Sequence, residues 1–465
     1  MDIKKAVVFL AIASLLVFSG FGCKGPTAEE QEAAKSVTLE FWGVYDESDL
    51  YKDIIAKYRT NHPNIKINYK MFRFEEYENE LLNALAEDRG PDIFMVNNNW
   101  MRGYVKKMLP LPPELTIAYV ITEGGAVGQK TTVTVRKEKS LTQRQLQELF
   151  VESVYDNVVI PIWNEDEEVF ENKIMGLPLS VDTLALYYNR DILNASGIAQ
   201  PPDDWVDFQE QVREITKYDA DGDISQSAAA IGTSSNVERY TDILSILMMQ
   251  NGTEMTNESG YATFHQKPSI FARDEAPGWG AVRFYTDFAI PSKDVYTWND
   301  DFPVSLDAFV TGESSMFIGY SYNTEQIRAK APKLNFGIAK LPQLAGNPEV
   351  NYANFWNYAV SAKTENENYA WDFIQFMTAD EENANIYLEA GSRPTALRSL
   401  INEQLEDLDL SVFAAQVLTA KEWYRGNDWE AVEEAFADLI DSQVYGTMEL
   451  DDAMKLCASR VNQTL

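Results

Sequence analysis

Cysteine, histidine and basic residues are scarce in this chain of 465 residues. Its two cysteines cannot form a disulfide framework, and its two histidines offer little for histidine-based catalysis or a zinc site. With 39 Lys+Arg against 72 Asp+Glu, the formal net charge of −33 argues against nucleic acid and anionic lipid surfaces as partners. The G-x-S-x-G, H-E-x-x-H and P-loop patterns are also missing from the sequence, so no common catalytic motif indicates an enzyme.

Apolar material is plentiful by contrast, and it excludes a wholly disordered chain. Hydrophobic residues make up 45% of the sequence and aromatic residues 12%. At about 150 residues per domain, the length suggests two or three units, although interleaved lobes fit the length equally well. We expect a monomer that needs no cofactor.

The first 36 residues have the features of an export signal followed by a tether. Lys4 and Lys5 precede an uncharged, mostly apolar run from Ala6 to Gly22, and Cys23 follows at once. This arrangement resembles a bacterial lipoprotein signal, although Gly20 stands where such signals usually carry Leu. It predicts a signal peptide at 1–22, lipidation of Cys23 and a flexible tether at 23–36. Ordinary secretion and a retained anchor helix are the alternatives.

Strands and helices alternate after the tether. Such alternation is typical of an α/β sheet, in which ligands settle at the carboxyl ends of the strands. We therefore expect the loops that begin at Trp42 and Asn97 to meet at the same edge of the sheet. The predicted elements are the strands Val37–Trp42, Ile65–Tyr69 and Asp92–Val96 and the helices Leu50–Tyr58 and Tyr77–Ala86.

Two later segments are less regular. In the stretch 111–173, the pattern predicts one helix over Leu141–Tyr155. The acidic segment Asp219–Asp223 is a candidate calcium-binding loop. An EF-hand loop, however, would need Gly where Ile224 stands and Glu where Ala230 stands. A turn is the favoured interpretation, and no metal site is predicted.

Several segments in the same order resemble the extracellular solute-binding proteins of ABC importers, in the sugar-binding family that includes maltose-binding protein. They are spread over nearly the whole mature chain, and only the segment 111–173 is longer than the family needs. The matching segments are VTLEFWGVYD, LLNALAEDRGPDIFMV, IMGLPLSVDTLALYYNRDIL with PPDDW, AFVTGESSMFIGYSYN, NFWNYAVSAKTENENYAWDFIQFMTADEE and YGTMELDDAMKLCASRVNQTL.

The resemblance implies a type II periplasmic-binding-protein-like fold, in which two α/β lobes are joined by crossover strands and hold the ligand between them. Lobe 1 would comprise 37–178 plus 355–425, and lobe 2 would comprise 182–353 plus 426–465. The implied function is that of an extracytoplasmic lipoprotein that captures a carbohydrate and delivers it to an ABC permease in the membrane.

A sugar has apolar faces that aromatic rings can cover, and a rim of hydroxyls that carboxylates, amides and arginine can bond. Simpler structural roles compete for several candidates: a core position for Trp42, a helix cap at Asn97–Asn99, a helix N-terminus for Asp242 and a surface ion pair for Arg393. The candidate ligand-binding residues are Trp42, Tyr45, Asn98, Asn99, Trp100, Asp182, Asp242, Trp279, Trp298, Tyr320, Trp356 and Arg393.

Two other function classes stay open. The same fold could bind a solute that is not a sugar, such as a peptide, a polyamine or a phosphodiester. An exported glycoside hydrolase with two catalytic carboxylates is also conceivable, but in a chain with 72 acidic residues such pairs occur by chance.

Overall fold

The computed structural model describes residues 35–123, 130–267 and 275–465. The predicted signal peptide, Cys23 and most of the predicted tether lie outside these ranges. Every helix within them is too short or too polar to span a lipid bilayer.

The described residues before the first crossover form nine strands and five α-helices. In chain order these are β1 (Val37–Val44), α1 (Asp49–Asn61), β2 (Ile65–Phe72), α2 (Phe74–Ala86), β3 (Ile93–Asn97), α3 (Met101–Tyr104), β4 (Met108–Leu109), β5 (Glu114–Glu123), β6 (Lys130–Lys139), α4 (Gln143–Leu149), α5 (Glu152–Val158), β7 (Val159–Asn164), β8 (Val169–Ile174) and β9 (Leu177–Pro178).

The middle of the chain contributes a second set of elements. These are β10 (Asp182–Thr183), β11 (Ala185–Asn189), α6 (Arg190–Ala195), α7 (Trp205–Ile215), β12 (Lys217–Tyr218), β13 (Ile224–Ala229), α8 (Tyr240–Gln250), α9 (Pro277–Asp287), α10 (Ser305–Thr311), β14 (Ser314–Gly319), α11 (Asn323–Lys330) and β15 (Phe336–Lys340).

The last part of the chain is mostly helical. It contains β16 (Asn351–Asn354), β17 (Trp356–Ser361), α12 (Glu367–Thr378), α13 (Glu381–Gly391), α14 (Ile401–Gln404), α15 (Ser411–Gln416), β18 (Ala420–Lys421), α16 (Trp429–Val444) and α17 (Leu450–Asn462).

Two main sheets organise these elements. The first has the order β2-β1-β3-β17-β4, with β9 also paired to β17, and β1 runs parallel to both β2 and β3. The second has the order β12-β13-β14-β11-β15. The strands β10, β16 and β18 form a small third sheet, so three separate parts of the chain meet there.

Each main sheet has its own hydrophobic core. One core cluster runs from Leu39 to Val181 and resumes at Ala353, and the body around it is called the first lobe. The other begins at Leu184 and resumes at Trp423, and its body is called the second lobe. Phe413 falls within the range predicted for lobe 1 but packs against Tyr187 of the second sheet, and the limits of the two lobes stay a prediction.

Most differences from the predicted elements occur in 111–173. The predicted helix Leu141–Tyr155 is two helices, because Phe150 and Val151 have extended backbone between α4 and α5. Thr142 and Gln145 form a capping box that begins α4 near the predicted position. The other described residues of the segment belong mainly to the antiparallel strand pairs β5–β6 and β7–β8.

The Asp219–Asp223 segment is a turn between β12 and β13. The Asp219 carboxylate accepts hydrogen bonds from the N–H groups of Asp221 and Asp223, at 2.9 and 3.0 Å. The carboxylate at the start of the segment therefore bonds its own backbone.

Candidate ligand-binding cleft

A cavity of about 720 Å³ opens between the two lobes. The first lobe contributes aromatic rings and Arg393 to its wall, and the second lobe contributes Arg239, Tyr322 and Glu433. The crossover residues Asp182 and Asn354 also line it. Its volume lies within the range of about 300–1,000 Å³ that is usual for small-molecule sites.

Four aromatic rings of the first lobe meet at one side of the cavity. Tyr45 and Phe74 are stacked with ring centroids 5.5 Å apart, and Phe74 is stacked on Trp100 at 6.0 Å. Trp356 stands edge-on to all three, with its ring centroid 5.2 Å from that of Trp100. We call Tyr45, Phe74, Trp100 and Trp356 the aromatic corner. Tyr45 and Phe74 are exposed, so apolar ring surface faces the cavity.

The topology of the first sheet explains this convergence. Tyr45, Phe74 and Trp100 follow the carboxyl ends of β1, β2 and β3, which are parallel neighbours. Trp356 begins β17, which runs antiparallel to β3 and therefore starts at the same edge. Ligands settle at this edge of α/β sheets because the loops that follow the strands meet there.

Strained backbone is concentrated around the cavity. Among the described residues, five that are not glycine have positive φ, and three of them line the cavity: Tyr45 at 67°, Arg239 at 60° and Ser392 at 47°. Such conformations persist only where the surrounding structure enforces them, and they cluster at ligand sites.

Arg393 is positioned on the first lobe by the buried Asp46. The Asp46 carboxylate accepts hydrogen bonds from the hydroxyls of Tyr51 and Tyr387, at 2.9 and 2.6 Å. Arg393 Nη2 lies 3.4 Å from the other carboxylate oxygen. Asp46 and Arg393 both line the cavity, so this lobe presents a cation fixed by a buried acid.

Arg239 occupies the corresponding position on the second lobe. Its Nε and Nη2 donate to Asp242 Oδ2 at 2.8 and 2.6 Å, and the Tyr320 hydroxyl donates to the same oxygen at 2.7 Å. The Arg239 side chain is 29% exposed, whereas Asp242 is completely buried. Asp242 and Tyr320 thus hold the guanidinium from behind while it faces the cavity.

Arg239 acts electrostatically on Tyr45 across the cavity. Although Tyr45 is 57% exposed, partial desolvation by the surrounding cleft raises its pKa to about 12; the positive charge of Arg239 opposes this rise and Glu75 adds to it. The two lobes therefore already influence each other through side chains that a ligand would separate.

Asp182 joins the crossover strand β10 to the second lobe. Its carboxylate accepts hydrogen bonds from the Ser321 hydroxyl at 2.7 Å and from the Ser321 and Thr183 N–H groups. Burial raises the pKa of Asp182 to about 6, although these bonds and the charge of Arg393 act in the opposite direction. The Asp182 carboxyl therefore lines the cavity and also connects the crossover strand β10 to Ser321 of the second lobe.

We expect Asp182→Asn to alter the pH dependence of folding. The pKa of Asp182 is higher in the folded than in the unfolded chain, so the folded state gains stability as the pH falls through 6 and loses it as the pH rises. The native protein should therefore gain on the order of 1 kcal/mol more than Asp182→Asn between pH 7.5 and pH 5. Urea unfolding at the two pH values measures this, and equal gains in both proteins would contradict it.

Five of the twelve predicted residues line the cavity: Tyr45, Trp100, Asp182, Trp356 and Arg393. Their contact with a ligand stays a prediction. Asp242 and Tyr320 are buried one step behind the wall, where they hold Arg239. The other five lie away from the cavity.

Three predicted tryptophans pack into the protein. Trp42 packs against Phe72 on the sheet, because side chains alternate along β1 and Trp42 follows the inward-facing Phe41. Trp298 is completely buried, donates to Asn236 Oδ1 at 2.9 Å and stacks on Phe302. Trp279 packs against the second core from α9, a helix that begins with Pro277.

Asn98 and Asn99 are buried as well and are not among the residues that line the cavity, and ligand contact by either stays a prediction. The Asn98 amide bonds the backbone of Ala353 and Phe355, so it fastens the crossover strand. The Asn97 side chain accepts from the Asn99 N–H as a helix cap, and of these three consecutive asparagines Asn97 is the one that lines the cavity.

Several lining residues were missed by the sequence analysis. Phe74 and Asp46 follow the ends of β2 and β1, so the strand-end argument that predicted Tyr45 could have found both. Arg239 and Tyr322 adjoin the predicted Tyr320 and Asp242 in sequence or space, yet no pattern indicated which of these side chains faces outwards.

Comparison with protein families gives one clear match. The family model described as bacterial extracellular solute-binding protein matches residues 46–384. A galactooligosaccharide-binding protein of Bacillus subtilis is 22% identical over 405 residues, which cover 86% of this chain and 82% of that protein.

Solved structures show the same architecture. A binding protein for cyclic α-maltosyl-1,6-maltose from Arthrobacter globiformis matches with a TM-score of 0.71 at 15% identity, over 92% of this chain and 98% of that one. The sugar-binding protein MalE from Xanthomonas citri matches with a TM-score of 0.69 at 16% identity, over 92% and 97% of the two chains.

Proposed function

Because this chain belongs to the bacterial extracellular solute-binding protein family and has the type II periplasmic-binding-protein fold, we propose that it captures a carbohydrate in its interlobe cleft. It would release the sugar unaltered to the membrane subunits of an ABC importer. Three of the relatives by sequence are named for the oligosaccharides that they bind: galactooligosaccharide, maltodextrin and diacetylchitobiose.

The aromatic corner is the observation that carries this proposal. Rings that are exposed in a cavity between lobes offer apolar faces at positions where a soluble protein normally avoids them. A sugar ring matches such a surface, because its C–H faces are apolar and its hydroxyls point sideways towards polar groups. Trp356 would cover the edge of the same sugar while the other three rings form its floor.

Polar groups at the remaining walls suit the hydroxyls. Arg239 and Arg393 can donate hydrogen bonds, and Asp182 and Asn97 can accept them. Both arginines are held in place before a ligand arrives, by Asp242 and Asp46 respectively. A pre-organised donor loses little side-chain entropy on binding, which raises affinity.

Hinge closure follows from the connectivity. The three crossover strands β10, β16 and β18 are short, so the lobes can rotate about them while each core stays intact. A sugar seated on the aromatic corner would bring Arg239 of the opposite lobe onto its exposed side. Closure would then signal to the importer that the site is occupied.

Isothermal titration calorimetry against a sugar panel tests the proposal. The panel contains glucose, galactose, maltotriose, mannotriose, galactotriose and diacetylchitobiose, with spermidine and a tripeptide as solutes of other classes. We expect saturable binding of at least one sugar and none of the other two solutes. Binding of spermidine or the tripeptide alone would overturn the sugar assignment.

The N-terminal segment extends the proposal to the cell surface. Cys23 follows directly after the apolar run, and its lipidation would tether the protein to the outer face of a membrane. We expect Cys23→Ser to shift the protein from the membrane pellet to the soluble fraction after cell fractionation. A protein that stays in the pellet with this substitution would favour the apolar run Ala6 to Gly22 as an anchor.

A further inference from the structure

The cavity wall carries more acidic than basic groups. Seven carboxylates line it against three arginines, and no lysine belongs to the lining in the described part of the chain. The number of charged groups alone does not describe a site, because the fields of two paired opposite charges largely cancel beyond the pair. Only charged side chains without a partner of opposite charge leave a net charge in the cavity.

All three arginines are compensated within the protein. Arg239 is held by Asp242, with 2.6 Å between Nη2 and Oδ2, and Arg393 lies beside Asp46. Arg328 binds both oxygens of Asp409, at 2.7 and 2.9 Å. Among the described residues, the wall thus lacks an uncompensated cation with which a negative ligand could pair.

Carboxylates remain in excess on both lobes. Glu75 adjoins the aromatic corner on the first lobe, and Glu238 and Glu433 line the second lobe. Glu433 lies 3.9 Å from Arg239, whose charge Asp242 already balances. An ionised carboxylate can only accept hydrogen bonds, so a ligand group that lies against one of them must be a donor.

From this arrangement we infer that the cleft selects sugars without acidic groups and rejects uronates of the same size and linkage. The inference rests on the proposed function and narrows its substrate class. A hydroxymethyl group brings a donor to the surplus carboxylates. A uronate carboxylate in the same place brings only acceptors and a like charge, which closure of the lobes would press against Glu75 and Glu433.

Matched pairs of oligosaccharides test the inference. Galactotriose is titrated beside trigalacturonate, and mannotriose beside trimannuronate, each at pH 7.5 and low ionic strength. We expect the neutral member of a binding pair to bind at least about tenfold more tightly than its uronate. Added salt should narrow the gap, because screening weakens the repulsion.

A double variant links the selectivity to the named groups. In Glu75→Gln/Glu433→Gln two surplus charges are removed from opposite lobes, and the ratio between neutral and acidic affinity should fall several-fold. Glu214→Gln serves as the control, since Glu214 is exposed on α7 and is not part of the cavity wall. The control should keep the ratio of the native protein.

The outcomes separate the two proposals. If uronates bind as tightly as their neutral partners, or if only uronates bind, the inference on charge is overturned while carbohydrate capture stands. If neither a sugar of the panel nor a uronate binds, both are overturned. An unchanged ratio in the double variant would overturn the assignment of selectivity to Glu75 and Glu433.

Discussion

Replacing Trp356 by alanine is expected to weaken sugar binding about 30- to 100-fold, because buried aromatic anchors dominate the energy of binding sites. Trp356 is the ring that the other three members of the aromatic corner share, and it stands edge-on to each of them. Its loss removes one wall of the corner and loosens the other three rings. The measurement is calorimetric titration with the tightest-binding sugar of the panel.

Trp163→Ala is the matched control for this experiment. Trp163 is 49% exposed on the β7–β8 hairpin, where it packs against Phe170, and it does not line the cavity. The control should bind like the native protein. Since Trp356 also packs against Tyr77, thermal unfolding of both variants is compared. Equal affinity losses in Trp163→Ala and Trp356→Ala would contradict a specific role for the aromatic corner.

Arg239→Ala and Asp242→Ala should separate contact with the ligand from support of the contact residue. Arg239→Ala is expected to lower sugar affinity about 10- to 100-fold, since it removes a charged donor from the second lobe. Stability should fall as well, because the completely buried Asp242 is left without its cation.

Asp242→Ala should lower both affinity and stability. It leaves the Tyr320 hydroxyl without its acceptor and frees Arg239, at a cost of about 1–3 kcal/mol for the buried polar group. Asp242→Asn should be milder, as it keeps an oxygen for Tyr320. Arg190→Ala is the control, because Arg190 lies over the ring of Tyr188 on the same lobe but away from the cavity. Full affinity in Asp242→Ala would show that Arg239 needs no support from Asp242.

The sequence was sufficient for the framework of the first lobe. The alternation of apolar and polar residues in β1 and the buried composition of β3 are local signals, and both strands appear where they were predicted. The order of family-like segments predicted the fold, which the matched family and solved structures confirm. The sequence analysis also predicted that the loops after β1 and β3 lie at the same edge of the sheet, because parallel strands end at the same edge.

Side-chain direction was harder to predict than position. Trp298 and Tyr320 stand near loops, yet both are completely buried, because tertiary contacts with Asn236 and Asp242 satisfy their polar atoms inside the second lobe. In the same way, Asp242 was predicted to contact the ligand, whereas Arg239, which lies three residues earlier and lines the cavity, was not. Which of two neighbouring residues faces a cleft depends on the left-handed backbone at Arg239, and no local pattern in the sequence marks it.

The position of strand β17 in the first sheet has a consequence for the synthesis and folding of the protein. It lies between β3 and β4 in the first sheet, and β4 pairs with no other strand of that sheet. All residues before β17 must therefore be synthesised before β17 can fill the place between β3 and β4 in the first sheet. Until then the inner edge of β3 is an open template for mispairing. The first sheet is therefore complete only when residues from β17 have joined the strands of the amino-terminal part.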